Sequence, residues 1–260
     1  MSTAAYALGD TSVMITRCMR RSLRDPEAFF TALMLPIILM LMFVYIFGGD
    51  LNTGGKYVDY VVPGLIVLCA AFGAGTTAVV VATDMSSGIV DRFRSMPIHA
   101  WSVLAGHIVA SLARNLLATA LVIAVGLGVG WRPTDSPLRW LAAIAMIVGF
   151  ILAMSWLAAV FGLLVRSPEA ATGATFGLMF IPYLSTAFVP ARTLPAVLRP
   201  IAANQPFTPV IETMRGLWMG RTSTGASLGH EALLAGLYCA GILVVSVVVA
   251  SWLYTRRTAA

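Results

Sequence analysis

Charge is what this 260-residue chain has least of: 11% of its residues are charged, against about 25% in a soluble domain. With 59% hydrophobic residues and a mean hydropathy of +0.88, no water-soluble fold could hide so much apolar surface. Lysine is nearly missing, Lys56 being the only one, so the basic side is arginine, as in a chain encoded by a GC-rich genome. The formal net charge of +6 does not indicate nucleic acid, because the arginines flank apolar runs instead of sharing one soluble face. Anionic lipid head groups are the expected counter-charge.

Three cysteines, Cys18, Cys69 and Cys239, show no CxxC spacing, which excludes a disulfide framework and a zinc site on pattern. His99 and His107 are eight residues apart with no further ligand type nearby, so no metal site is expected. Carboxylates are absent from mid-span positions, which argues against an ion-coupled secondary transporter, as does the lack of similarity between the first and last three spans. No cluster of His, Asp and Glu gathers at one surface, as a membrane-embedded transferase or hydrolase would need. Gly54-Gly55-Lys56-Tyr57 lacks the glycine spacing and the Ser/Thr of a phosphate-cradling loop. Residues 1–25 are polar, and the first apolar run is long enough to stay in the membrane, so no cleaved signal is expected.

What is abundant is long apolar sequence. Six runs, at 29–47, 61–83, 103–129, 139–164, 170–189 and 232–254, are long enough at about 1.5 Å per residue to cross about 30 Å of hydrocarbon. In lipid the backbone must satisfy itself, so these runs predict an all-α polytopic fold: one transmembrane domain over residues 1–260. Arg17, Arg20, Arg21 and Arg24 precede the first run and only Lys56 follows it, which places the N-terminus in the cytoplasm. Six crossings return the C-terminus there, with Arg256 and Arg257 as anchors. Arg132, Arg139, Arg192, Arg199, Arg215 and Arg221 then lie outside, but the charge rule weighs residues close to the first spans most.

Three segments stand apart from the plain spans. Arg17, Arg20, Arg21 and Arg24 share an arc of a helix whose other side carries Ile15, Cys18, Met19 and Leu23; such an elbow helix lies along the interface, with Pro26 at the bend into the first span. It serves either as an anchor or as an elbow that transmits motion. Within the loop 84–102, Ile89, Val90, Phe93 and Met96 form one side of a short helix. Asp91, Arg92, Arg94 and Ser95 surround that side, and Pro97 ends it. Phe93 between two arginines has the form of an interface anchor with a charged rim, the alternative being a loop helix that packs on its own bundle. In the loop 190–231, Val210, Ile211, Met214, Leu217 and Trp218 recur at helical spacing, with Glu212 and Arg215 at i and i+3. That pair is expected to contribute roughly a few tenths of a kcal/mol, as a pair on a helix surface does. The segment reads as a cap, interfacial or re-entrant, that either gates or only shields the bundle.

In this order the elements resemble the ABC-2 type permeases, above all the membrane subunits of daunorubicin-resistance exporters. Asp91-Arg92-Phe93-Arg94-Ser95-Met96-Pro97 carries the resemblance after the second span. Gly106 with Arg114-Asn115 carries it in the third, and Pro206-Phe207-Thr208-Pro209 with Arg215-Gly216 before the sixth. The resemblance implies a non-enzymatic permease half in a bacterial plasma membrane, its loop after the second span acting as a coupling helix on a separate ABC ATPase subunit. Two such ATPases, holding ATP and Mg, and a second permease, identical or related, would complete the transporter. Cofactors on this chain itself would be none.

The cargo implied is a hydrophobic small molecule such as a drug, or a lipid or polyketide-like metabolite. Phe72, Thr76, Thr77, Phe176, Met179, Phe180 and Tyr183, on the second and fifth spans, are candidates for its pathway, since aromatic and Met side chains suit apolar cargo. Arg114, two or three turns into the third span, is expected to snorkel or to meet Asp84 at the cytoplasmic mouth, in preference to contacting substrate. Gly64, Ala71, Gly75 and Gly173 would allow close helix approach. Pro182 is placed to kink the fifth span.

Overall fold

The computed structural model describes residues 11–20, 26–46, 56–87, 100–134 and 136–259. All regular structure among them is helical. Helix α1 covers residues 11–20. It is followed by α2 (Pro26–Tyr45), α3 (Tyr57–Ser86), α4 (Ala100–Gly128), α5 (Pro137–Leu164) and α6 (Pro168–Phe180). Two 3-10 turns, Ile181–Leu184 and Ala191–Thr193, lead to α7 (Arg199–Asn204), α8 (Phe207–Met219) and α9 (Leu228–Ala259).

Stretches of α3, α4, α5 and α9 are each long and apolar enough to cross a membrane. Helix α3 is the axis of the bundle and packs against α2, α4, α5, α6 and α8. Its spanning stretch is 78% buried, whereas that of α9 is 11% buried, so α3 forms the core and α9 faces outward. The helix ends follow local chemistry. Pro137 and Pro168 occupy first-turn positions, where a missing N–H costs nothing. The Ser167 hydroxyl accepts from Ala170 N at 3.2 Å. Gly220, at φ 72°, closes α8 in the left-handed conformation that suits glycine.

The fifth expected span differs from the sequence reading. Instead of one helix over 170–189, α6 stops at Phe180, and the chain continues through the turn Ile181–Leu184 into non-helical backbone. Pro182 sits at the start of that turn, so it ends the helix instead of kinking it. Carbonyls released by the missing helix find partners in the protein: the Tyr57 hydroxyl donates to Phe188 O at 3.0 Å and the Tyr60 hydroxyl to Thr186 O at 2.7 Å. Irregular backbone inside a membrane protein requires such satisfaction. Gly64 makes room for it, because a Cβ there would stand 2.8 Å from the Ala187 backbone.

Helix α8 coincides with the expected cap but is no surface element, since Phe207 to Gly216 are all buried. Trp218 packs edge-on to Trp131 at 5.1 Å and lies 5.3 Å from Trp140. Thr134 N donates to Trp218 O at 2.8 Å, which ties α8 to the α4–α5 connection. Of the small residues expected to serve helix approach, Gly64, Ala71 and Gly75 are buried within this one chain, and Gly173 is exposed.

Candidate functional site

The expected docking residues Ile89, Val90, Asp91, Arg92, Phe93, Arg94, Met96 and Pro97 lie outside the described residues, as do Arg21 and Arg24. The structure does describe the helix ends on either side of that segment. Asp84, in the last turn of α3, is 2% exposed. One of its oxygens, Oδ2, stands 3.3 Å from Arg17 Nη1 on α1 and 3.3 Å from His107 Nε2 on α4. On its other edge the His107 ring lies 3.8 Å from Cys18 Sγ. Helix α1 is therefore held against the bundle through its own buried face. Gly106 permits the contact, as a Cβ there would come 3.1 Å from the Met14 backbone. Arg17 turns inward to Asp84, leaving Arg20 exposed among the described arginines of α1.

Arg114, the other residue expected at that mouth, bonds to α3. It sits about two turns farther along α4 than His107, where its Nη2 donates to Thr76 Oγ1 at 2.8 Å, and Thr76 in turn donates to Gly73 O at 2.8 Å. Beside it a line of hydroxyls crosses three helices. Thr77 Oγ1 donates to Ser111 Oγ at 2.7 Å, and Ser111 Oγ lies 2.9 Å from Ser155 Oγ. Asn115 Nδ2 donates to Ser111 O at 2.9 Å. Its Oδ1 is buried with no hydrogen-bond partner among the described residues, and it is packed so closely on α3 that a Cβ on Gly73 would be 1.7 Å away. Sequence reasoning missed this line, although Ser111, Asn115 and Thr119 recur every four residues and so mark one polar stripe on α4.

The pathway candidates divide. Thr77 is buried in the hydroxyl line. The aromatic candidates form a continuous strip: Phe72 is edge-on to Tyr183 at 6.4 Å, Tyr183 is 6.0 Å from Phe180, and Phe180 is 4.9 Å from Phe176. Phe176 and Phe180 are 60% and 53% exposed, so the strip forms an outer face of the monomer. Half-buried Thr76 belongs to α3 as Phe72 does, one turn nearer Asp84. The Met179 side chain lies outside the description.

At the far end Glu212 and Arg215 form a buried ion pair, not the exposed helix pair expected. Arg215 Nη2 donates to Tyr60 O at 2.9 Å and Thr186 O at 3.0 Å, and its guanidinium lies 3.8 Å over the Tyr60 ring. Glu212 accepts from the Thr186 hydroxyl at 2.7 Å and from Ser223 N and Oγ at 2.6 Å each. Desolvated charges are tolerable when their remaining valences are filled in this way. The network binds α8, α3 and the irregular backbone after α6 into one piece.

Comparison with known proteins gives concordant matches. The profile of the family described as ABC-2 type transporter matches residues 10–219. The daunorubicin resistance ABC transporter permease protein DrrB1 of Streptomyces coeruleorubidus is 27% identical over 218 residues, 83% of this chain and 77% of the relative. The probable doxorubicin resistance ABC transporter permease protein DrrC of Mycobacterium tuberculosis is 25% identical over 240 residues, 91% of this chain and 86% of the relative.

Proposed function

Because the chain belongs to the ABC-2 type transporter family, we propose that it is the transmembrane permease subunit of an exporter powered by ATP hydrolysis on a separate subunit. The observation that carries this reading is that the similarity to drug-resistance permeases extends over most of both chains. In the complete transporter six crossings, by α2, α3, α4, α5, the α6 segment and α9, put both termini in the cytoplasm. Two ATPase subunits with ATP and Mg bind below, and a second permease, identical or related, faces the first. The cargo is a hydrophobic or amphiphilic small molecule, a drug or a lipid-like metabolite.

Residues 89–97 transmit the ATPase stroke, with Phe93 as anchor and Asp91, Arg92 and Arg94 as rim. Force applied there reaches α3 and α4 directly, since the segment connects them. It reaches α1 through Asp84, which bonds to Arg17. Helix α1 in this reading is an elbow that moves with the gate. The Phe72–Tyr183–Phe180–Phe176 strip offers cargo a deformable apolar wall, with Thr76 and Arg114 as the polar groups at its side.

Phe93→Asp tests the docking. The expected result is a folded permease that no longer co-purifies with its ATPase and no longer exports. Retention of both association and export would refute the coupling role.

A further inference from the structure

A cavity of about 90 Å³ lies between α5 and α9, beneath the irregular backbone that follows α6. Phe150, Met154 and Leu157 wall one side, Cys239 and Ile242 the other, and Phe207 closes it. Its single phenol is engaged elsewhere, since the Tyr238 hydroxyl donates to Asn204 O at 3.1 Å. Leu157, Tyr238 and Ile242 are only partly buried, so the cavity opens on the outward side of the bundle. Along that side α9 exposes Leu237, Val244, Val245 and Val248, all more than 60% accessible, as a lipid-facing helix does.

The Asn204 carbonyl that receives this hydrogen bond leads to a surface of different character. Asn204 ends α7, whose first residue is Arg199; the turn carrying Arg192 packs against the same helix. Both arginines are exposed, and beside them Val197 and Ile201 are 78% and 50% exposed. Apolar side chains interleaved with arginine are the composition of an element seated at the head-group layer. From Glu231, at the polar start of α9, to Ile242 at the cavity is eleven residues, or about 16 Å of helix. That is about half of a 30 Å hydrocarbon core, the depth one acyl chain reaches.

We propose that this is a binding site for an anionic phospholipid of the outer leaflet: its phosphate lies against Arg192 and Arg199, and one acyl chain descends along α9 into the cavity. The chemistry fits at both ends. Positive charge is presented where a phosphate would lie, and an apolar hole opens where the chain terminates. The site is separate from the aromatic strip and rests on the proposed orientation, with both termini in the cytoplasm, but not on ATP-driven export, so it stands or falls independently of transport.

The test uses the full chain in nanodiscs of phosphatidylglycerol bearing a photoreactive diazirine at the end of one acyl chain, with labelled residues mapped by mass spectrometry. Labelling is expected to concentrate on Met154, Leu157, Cys239 and Ile242 over the open face at Val245 and Val248. Leu157→Trp, which plugs the mouth, should reduce cavity labelling to the Val248 level. Arg192→Gln and Arg199→Gln, at exposed positions, should each lower it about fivefold; Arg199→Lys, which also gives up the Nε bond to Leu194 O but keeps the charge, should retain labelling. The proposal is overturned if the cavity labels no more than Val248, or if Leu157→Trp leaves cavity labelling unchanged in a folded protein. It is equally overturned if the arginine-to-glutamine variants have no effect, or if a photoreactive phosphatidylcholine or free fatty acid labels the cavity as strongly as phosphatidylglycerol does.

Discussion

Arg215 is the side chain whose loss should cost most. Its guanidinium serves Glu212, two backbone carbonyls and the face of Tyr60 at once. Arg215→Met would leave Glu212 charged and buried, a penalty of about 3–5 kcal/mol, seen as a lowered melting temperature in detergent. Combining it with Glu212→Gln should recover part of the loss, because no unpaired charge then remains. Gly73→Ala forces a methyl onto Asn115 Oδ1, costing about 1–3 kcal/mol, and Asn115→Ala in the same chain should relieve it. An equal loss in Gly73→Ala and in the double variant would contradict that packing. At this scale the sequence was partly legible. The spacing of Glu212 and Arg215 announced a pair, but helical spacing is the same for a buried and an exposed pair, so its weight was misjudged. Likewise the arc of Arg17, Arg20, Arg21 and Arg24 indicated an interfacial face without revealing that Arg17 is turned to Asp84.

At the scale of elements, the ends of α3, α4, α5 and α9 lie within a few residues of the apolar runs that announced them. Four long helices in lipid follow from composition alone. The segment after Phe180 was not legible in this way, since an apolar run does not say whether its carbonyls bond along a helix or to Tyr57 and Tyr60. Pro182 was the available signal, and it fitted a kink as well as a stop. Helix α1 is the element whose attachment is most exposed to test. Asp84→Asn weakens two charge-assisted contacts, and amide exchange over residues 11–20 should accelerate by about tenfold while exchange in α3 is unchanged. Unaltered exchange in α1 would mean that packing at Gly106 and Met14 holds it without Asp84.

For the whole molecule, the proposed role is that of a permease driven from its cytoplasmic side. A far end in which α8 is tied to α3 by the Glu212–Arg215 network stands opposite a near end where α3 and α4 lead to residues 88–99. Movement delivered at the near end would therefore be converted into changes along the aromatic strip, with the α8 cap travelling as part of α3. A covalent link between α8 and α3 should accordingly leave export intact, whereas a link that immobilises the loop should abolish it.

The most direct measurement is transport in proteoliposomes, comparing this chain alone with the chain joined to its ATPase subunits. The account predicts ATP-dependent accumulation of a hydrophobic drug only in the joined preparation, lost on Phe93→Asp. Uphill transport by the chain alone, driven by nucleotide or by an ion gradient, would contradict it.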